Sequence, residues 1–128
     1  MQIKYVGLVV DDQEKALEFY TSALGFNKVA DVPAGDYRWI TVASPKGIAG
    51  VELVLEPAAF PPVRAYQKAL FDEGIPATMF VSEDLGADYS RLRSKGVKFR
   101  GEPMEAGEVK LALFEDSCGN LIQLVQHL

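Results

Sequence analysis

The chain has 128 residues, of which 48% are apolar and 24% are charged, as is usual for one globular domain. Thirteen basic and eighteen acidic side chains give a net charge of −5 and a pI near 4.8. This balance argues against nucleic acid or an anionic membrane as a partner, because both select clustered Lys and Arg. No apolar run approaches the roughly 18 residues that a membrane-spanning helix needs.

The N-terminus enters a strand-like pattern directly, which predicts that no signal peptide is present. A single cysteine, Cys118, rules out an internal disulfide framework and fits a reducing compartment. We therefore expect a cytoplasmic protein.

The first half of the chain is predicted to be β-α-β-β-β. Asp11 and Asp12 offer helix N-caps, and Glu14 lies three residues after Asp11, as in a capping box. Apolar residues at helical spacing follow until Gly25, where a left-handed glycine would end the helix. The four strands are predicted over residues 3–10, 26–32, 38–43 and 50–56.

Prolines then interrupt the sheet pattern, and apolar residues at helical spacing continue to Gly74. We interpret residues 57–74 as a linker that carries a short surface helix. The second half repeats the β-α-β-β-β order, with a helix over about Glu83 to Lys95. Its strands are predicted over residues 77–81, 97–100, 109–114 and 120–126.

A fixed offset relates the two halves. Glu52 and Gln123 lie 71 positions apart, and the same offset carries Asp12 onto Glu83. Because an internal repeat fixes the architecture, we predict the α+β class with two tandem βαβββ modules in a single domain. The modules are residues 1–56 and 75–128.

Two motifs point to a known family. The first copy carries Asp-x-x-x-Ala-Leu-x-Phe-Tyr-x-x-x-Leu-Gly-Phe between Asp12 and Phe26, and Asp116 to Leu124 read Asp-x-x-Gly-Asn-x-Ile-x-Leu. The duplicated module with these motifs resembles the vicinal oxygen chelate superfamily, which holds glyoxalase I, extradiol dioxygenases, fosfomycin resistance proteins and bleomycin-binding proteins. The resemblance implies curved mixed sheets around a concave cleft. It is specific for the fold and unspecific for activity.

Metal-dependent members of that superfamily carry four ligands, typically His, Glu, His and Glu. The resemblance places Tyr5, Glu52, Pro76 and Gln123 at those positions. Pro76 has no donor atom, Gln123 is a weak neutral ligand, and Tyr5 would have to release a proton with a pKa near 10. We therefore predict no metal or other cofactor, and leave a divalent metal at Glu52 as the alternative.

Strand alternation predicts which side chains face the cleft. Apolar neighbours bracket Glu52, so the apolar face packs on the helices while Glu52 and Glu56 face the cleft. The same rule sends Leu111 and Leu113 to the helices. Aromatic and polar groups remain, as in a small-molecule site. The predicted ligand-binding residues are Tyr5, Trp39, Thr41, Glu52, Thr78, Phe80, Lys110, Phe114 and Gln123.

These residues also have structural interpretations. Trp39, Phe80 and Phe114 can fill the open face of a sheet or a dimer contact, and Glu52 can form an ion pair with Lys110. A carboxylate in a partly apolar pocket tends to have a raised pKa and seeks a cation or donor. Glu52 is therefore the best candidate for a catalytic residue.

Two function classes follow. The first is a metal-independent protein that binds a small organic ligand in a cleft between the two modules, as the bleomycin-resistance branch does. The alternative is a lyase, isomerase or dioxygenase-type enzyme with Glu52 as general base or weak metal ligand. The resemblance also implies a homodimer, because family members commonly pair modules across chains.

Overall fold

The computed structural model describes residues 1–128, and the predicted α+β class with tandem βαβββ modules is confirmed. The strands are β1 (Tyr5–Val10), β2 (Asn27–Ala34), β3 (Tyr37–Ala43), β4 (Glu52–Pro57), β5 (Thr78–Val81), β6 (Met104–Ala106), β7 (Val109–Glu115) and β8 (Leu121–His127). The helices are α1 (Gln13–Glu18), which continues as a π-helical turn over Phe19–Ala23, α2 (Pro61–Asp72) and α3 (Leu85–Ser94). None of these helices combines the length and the apolar character that crossing a membrane requires.

Each module forms one four-stranded mixed sheet. The strand order is β1-β4-β3-β2 in the first sheet and β5-β8-β7-β6 in the second. In both, the first strand of the module pairs in parallel with the last, and the remaining pairs are antiparallel. The chain divides into two compact units, Met1–Ala65 and Tyr66–Leu128, with one sheet in each.

The core of the first unit lies between its sheet and α1. The side chains that alternation predicts for the helix face are buried there, and α1 contacts both β3 and β4. Fully buried members of this core are Val10, Ala16, Tyr20, Ile40, Val42 and Leu55. Burial of these apolar side chains fixes β3 and β4 against α1 and leaves the other face of the sheet open.

Gln13 joins α1 to the sheet. Its Nε2 donates to the backbone oxygens of Arg38 at 2.6 Å and Leu55 at 2.9 Å, and its Oε1 accepts the Arg38 N–H at 3.0 Å. The ladder between β3 and β4 ends at the pair of Thr41 and Val54. The Gln13 amide therefore satisfies backbone groups of two strands that have separated, since buried peptide groups need partners.

The turn between β7 and β8 holds the part of α2 that belongs to the second unit. Asp116 is fully buried, and its Oδ1 accepts the N–H groups of Cys118 at 2.8 Å and Asn120 at 3.0 Å. The Nε2 of Gln67, on α2, donates to the Cys118 oxygen at 3.1 Å and to Asn120 Oδ1 at 3.2 Å. Gly119 has φ of 95°, and a Cβ there would collide with Gln67. This motif is therefore structural.

The predicted strand over residues 97–100 is wrong. Phe99 makes only an isolated bridge to Phe114, and the edge strand of the second sheet is β6. The Phe99 ring contacts Tyr89 and Phe114, with centroids 4.7 Å and 5.5 Å apart. The Phe99 side chain therefore packs in the core beneath α3.

The offset between the modules also changes along the chain. Asp12 caps α1 by accepting the Lys15 N–H at 2.9 Å, and Asp84 caps α3 by accepting the Ala87 N–H at 3.0 Å. These equivalent caps lie 72 positions apart, so Asp12 corresponds to Asp84 and the predicted match to Glu83 is wrong. The Asp11 capping box does not form, because the cap is Asp12.

Candidate functional site

Tyr5, Trp39, Thr41 and Glu52 lie together on the face of the first sheet opposite α1, which we call the first open face. Tyr5 is the partner of Glu52 in the parallel ladder of β1 and β4. The Tyr5 and Trp39 rings meet edge to face with centroids 5.4 Å apart. Tyr5 is 52% exposed and Trp39 is 38% exposed, so this aromatic pair presents its surface to solvent.

Both carboxylate oxygens of Glu52 have partners. Thr41 Oγ1 donates to Oε1 at 2.6 Å, and the Lys4 ammonium lies 3.1 Å from Oε2. Lys4 also donates to the Gly50 oxygen at 3.2 Å and lies 5.3 Å from the centroid of the Tyr5 ring. The buried Glu52 side chain is therefore held in one orientation by a hydroxyl and a cation.

These contacts set the charge of Glu52. The pKa of its carboxyl lies below the usual value, first because the Thr41 hydroxyl and then because Lys4 stabilises the charged form, against the opposing effect of burial. The pKa of Lys4 is raised, chiefly by its hydrogen bond to Glu52. The expectation of a raised pKa for Glu52 is wrong, and the partner in its ion pair is Lys4 instead of Lys110.

Glu56 is a second carboxylate on the first open face. It is exposed and has no hydrogen-bond or ion-pair partner, and it is the ladder partner of Val9. A Cβ added to Gly7 would collide with the Glu56 carboxylate. Glycine in this strand therefore makes room for the Glu56 side chain to lie across β1, a common reason for glycine inside a strand. That glycine was the signal in the sequence that could have added Glu56 to the predicted ligand-binding residues.

The second sheet has a small cavity of about 160 Å³ on the face opposite α3. Leu111 and Leu113 line it, although alternation predicts that they face the helices. The residues that define it are Pro76, Arg100, Met104, Leu111, Leu113 and Gln123. Of the residues predicted in this half to bind a ligand, Gln123 alone lines it.

Lys110 and Phe114 face α3, so their predicted placement on the face opposite the helices is wrong. Lys110 is the ladder partner of Gln126, whose Oε1 accepts the N–H of Leu85 at the start of α3. Phe114 is 1% exposed and packs against the ring of Phe99.

A one-residue slip in the repeat explains this reversal. Val42 pairs with Leu53 in the first sheet, and Ala112 pairs with Leu124 in the second. Leu124 follows Leu53 by 71 positions, but Ala112 follows Val42 by only 70. Because successive residues of a strand point to opposite faces, the slip moves every β7 side chain across the sheet.

On β5 the slip has the opposite sign and is larger. Tyr5 is the ladder partner of Glu52 and Met79 is that of Gln123, so the positions on β1 and β5 lie 74 apart, against 71 for Glu52 and Gln123. Thr78 and Phe80 are ladder partners of buried β8 residues that lie on the α3 face. Met79 lies between them, is the ladder partner of Gln123 and is 62% exposed. The predicted placement of Thr78 and Phe80 on the face opposite the helices is therefore also wrong.

The donors at the four positions of the superfamily's metal site do not fit a metal. Glu52 Oε2 already faces the Lys4 ammonium, and Pro76 offers no side-chain donor. The chain contains no group of three or more His, Cys, Asp or Glu residues that could hold a metal ion. Transition metals in proteins need three or four N, O or S ligands.

The family model described as Glyoxalase/Bleomycin resistance protein/Dioxygenase superfamily matches residues 2–124. The chain belongs to this superfamily. The resemblance drawn from the repeat and the two motifs is thereby confirmed. As a member of the glyoxalase/bleomycin resistance superfamily, the chain shares its fold with proteins of several activities, so its function must be argued from its own site.

Several relatives match this superfamily member along nearly the whole chain. YurT of Bacillus subtilis (strain 168) is 53% identical over 126 residues, which cover 98% of this chain and 99% of YurT. The crystal structure of UcmS2 is 32% identical with a TM-score of 0.84, covering 98% of this chain and 97% of that one. TnmS3, an antibiotic binding protein from Streptomyces sp. CB03234, is 31% identical with a TM-score of 0.79, covering 100% and 97%.

The pairing of Glu52 predicts a specific loss of stability in acid. Its folded-state pKa is lowered, so the carboxylate stabilises the fold above its unfolded-state pKa of about 4.3, and this contribution is lost as pH falls through the folded-state pKa. Glu52→Gln should therefore show a smaller fall in unfolding free energy between about pH 5 and 3 than the native chain. Urea unfolding across this range measures the difference. Some acid sensitivity remains in the variant, because Arg38 lowers the pKa of Asp31.

Glu56→Gln is the matched control, since it removes an unpartnered carboxylate from the same strand. Identical pH profiles for Glu52→Gln and the native chain would show that Thr41 and Lys4 do not hold Glu52 as described.

Proposed function

We propose that this chain is a metal-independent binding protein for a small organic ligand that carries an aromatic ring and a positive charge. The observation that carries the proposal is the first open face, where the exposed Tyr5–Trp39 pair lies beside the unpartnered carboxylate of Glu56. Tyr5 and Gly7 are successive positions on this face of β1, and the Glu56 carboxylate lies over Gly7. Aromatic surface and a free negative charge are therefore neighbours.

The chemistry of this face selects the ligand class. Tyr and Trp rings provide large apolar contact and attract cations through their π faces. The Glu56 carboxylate adds a direct charge partner, and the chain's net charge of −5 favours approach of a cation. A flat aromatic cation can satisfy both features at once.

Lys4 supports metal independence. Its ammonium lies 3.1 Å from Glu52 Oε2, so the charge that a metal would contribute at this carboxylate is supplied by the chain itself. Glu52 then serves to position Lys4 and Thr41 at the base of the first open face. Because Lys4 neutralises Glu52, the positive charge of a ligand on this face pairs with Glu56 instead.

The cavity of the second sheet supports binding of a small apolar group. Met104, Leu111 and Leu113 give it an apolar lining, with Gln123 as a polar contact. At about 160 Å³ it is smaller than the roughly 300–1,000 Å³ of sites that enclose a whole drug-sized ligand.

Likeness to TnmS3, an antibiotic binding protein, also supports small-molecule binding. The enzyme alternative, with Glu52 as general base, has less support from the geometry. A general base works best with a pKa near the working pH, whereas the Glu52 pKa is lowered and both its oxygens accept contacts.

We also propose a cytoplasmic location, which is supported by Cys118 being a buried cysteine outside any disulfide. The acidic net charge argues against nucleic acids and anionic membranes as partners. The expected partner is a small molecule.

A homodimer is a further part of the proposal, supported by apolar side chains on an edge strand. Met79 is 62% exposed and Val81 is 70% exposed on β5, which is an edge of the second sheet. Exposed apolar edge strands favour pairing with another chain. We therefore place the contact between copies at β5.

Light scattering should give about twice the chain mass of 14.0 kDa for the native protein. Met79→Glu and Val81→Glu should each favour the monomer, because they place a charge in the contact. Ile48→Glu is the control, since Ile48 is exposed outside the strands. A native mass of one chain at every concentration would reject the dimer.

Ligand binding can be followed at a single residue, because Trp39 is the only tryptophan and gives one indole N–H signal in an NMR spectrum. 2-Naphthylmethylammonium, an aromatic cation, should shift this signal saturably and bind more tightly than 2-naphthoate, the matched anion. Trp39→Ala, followed through β1 amide signals, should weaken binding about tenfold, as expected for loss of an aromatic anchor.

Glu56→Gln should weaken the cation but not the neutral 2-naphthylmethanol, and Glu52→Gln should have the smaller effect. The proposal fails if neither charged probe shifts the Trp39 signal, or if Glu56→Gln binds the cation as the native chain does.

A further inference from the structure

A second cavity lies in the first unit, at the carboxyl ends of β1 and β4. It measures about 380 Å³, within the usual range for small-ligand sites and more than twice the cavity of the second sheet. None of the residues named on the first open face lines it. Its lining combines charged side chains with small apolar ones. The residues that define it are Asp11, Asp12, Tyr37, Arg64 and the segment 57–59.

The backbone builds this cavity. β1 and β4 are parallel, so their carboxyl ends lie side by side. The β3–β4 ladder stops at Thr41 and Val54, and the Gln13 amide bridges the gap by bonding to Arg38 and Leu55. The gap is therefore held open by hydrogen bonds.

The positive wall of the cavity is Arg64. Its guanidinium has no hydrogen-bond or ion-pair partner in the chain, although two carboxylates line the same cavity. An ion pair would require N···O separations of no more than about 4 Å. The Arg64 guanidinium therefore lies more than about 4 Å from both carboxylates, so the two signs of charge are separate within the cavity lining.

The negative wall is Asp11 and Asp12. Asp12 uses Oδ1 to cap α1, which leaves Oδ2 without a partner. Asp11 meets only the half-exposed Lys15 ammonium, at 3.3 Å, and solvent-exposed pairs of this kind are weak. Both carboxylates can therefore accept a ligand's ammonium group.

We propose that this cavity binds a free α-amino acid with a small apolar side chain. The ammonium group pairs with Asp11 and Asp12. The carboxylate pairs with Arg64 and accepts a hydrogen bond from the Tyr37 hydroxyl. The side chain lies against Pro57, Ala58 and Ala59. A zwitterion can pair with the aspartates and with Arg64 at once, whereas a simple cation or anion can pair with only one of these charges.

The test uses the native chain and three related probes followed by backbone amide signals. L-Alanine should shift the signals of Asp12, Ala58 and Ala59 saturably. L-Alaninamide lacks the carboxylate and N-acetyl-L-alanine lacks the ammonium, so each should bind about tenfold more weakly or worse, as expected for loss of a charged hydrogen bond. Equal binding of all three probes, or no saturable shift with L-alanine, would overturn the proposal.

Variants locate the site. Arg64→Gln and Asp11→Asn should each weaken L-alanine about tenfold. Neither residue has a buried partner, so both variants should fold, and their spectra report this directly. Lys28→Gln is the matched control for charge, because Lys28 is exposed on β2 outside the cavity. Native-like binding by Arg64→Gln would refute the assignment.

Trp39→Ala separates this proposal from the proposed function. It should leave L-alanine binding unchanged while it weakens the aromatic cation, because Trp39 does not line this cavity. If Trp39→Ala abolished L-alanine binding as well, the cavity would not be an independent site.

Discussion

The contacts of Glu52 with Thr41 and Lys4 determine what the first open face can do. A buried carboxylate needs a hydrogen-bond donor and a counter-charge, and the chain supplies both from within the same unit. Glu52 therefore stays ionised and fully engaged. Glu56 is the carboxylate on this face that has no partner. The Tyr5–Trp39 pair lies beside it on β1 and β3 of the same sheet. This arrangement is the reason why we propose a binding protein and not an enzyme.

The sequence predicted the architecture and the first open face because two independent patterns agree there. Apolar residues on both sides of Glu52 fix which face of β4 packs on α1, and the same alternation places Trp39 and Thr41 beside it. In the second unit the prediction of faces depended on one constant offset between the modules. Slips by an odd number of residues, three on β5 and one on β7, reversed the faces of both strands, which is why Phe80 and Phe114 were predicted on the wrong face.

Other features depend on contacts that alternation does not encode. Lys4 lies just before β1 in sequence, and only the three-dimensional structure brings its ammonium to Glu52. Gln13 carries no distinguishing signal in the sequence, yet its amide replaces part of the β3–β4 ladder and lines the cavity that contains Arg64. A side chain that substitutes for backbone pairing leaves no periodic signal in a sequence.

The central claim is that the chain itself satisfies the charge of Glu52, so that this superfamily member works without a metal. Elemental analysis of protein purified without chelator, from cells supplied with Zn, Ni, Mn and Fe, tests this claim most directly. We predict far less than one equivalent of any of these metals per chain. Close to one equivalent of a single metal, lost in the Glu52→Ala variant, would contradict the account.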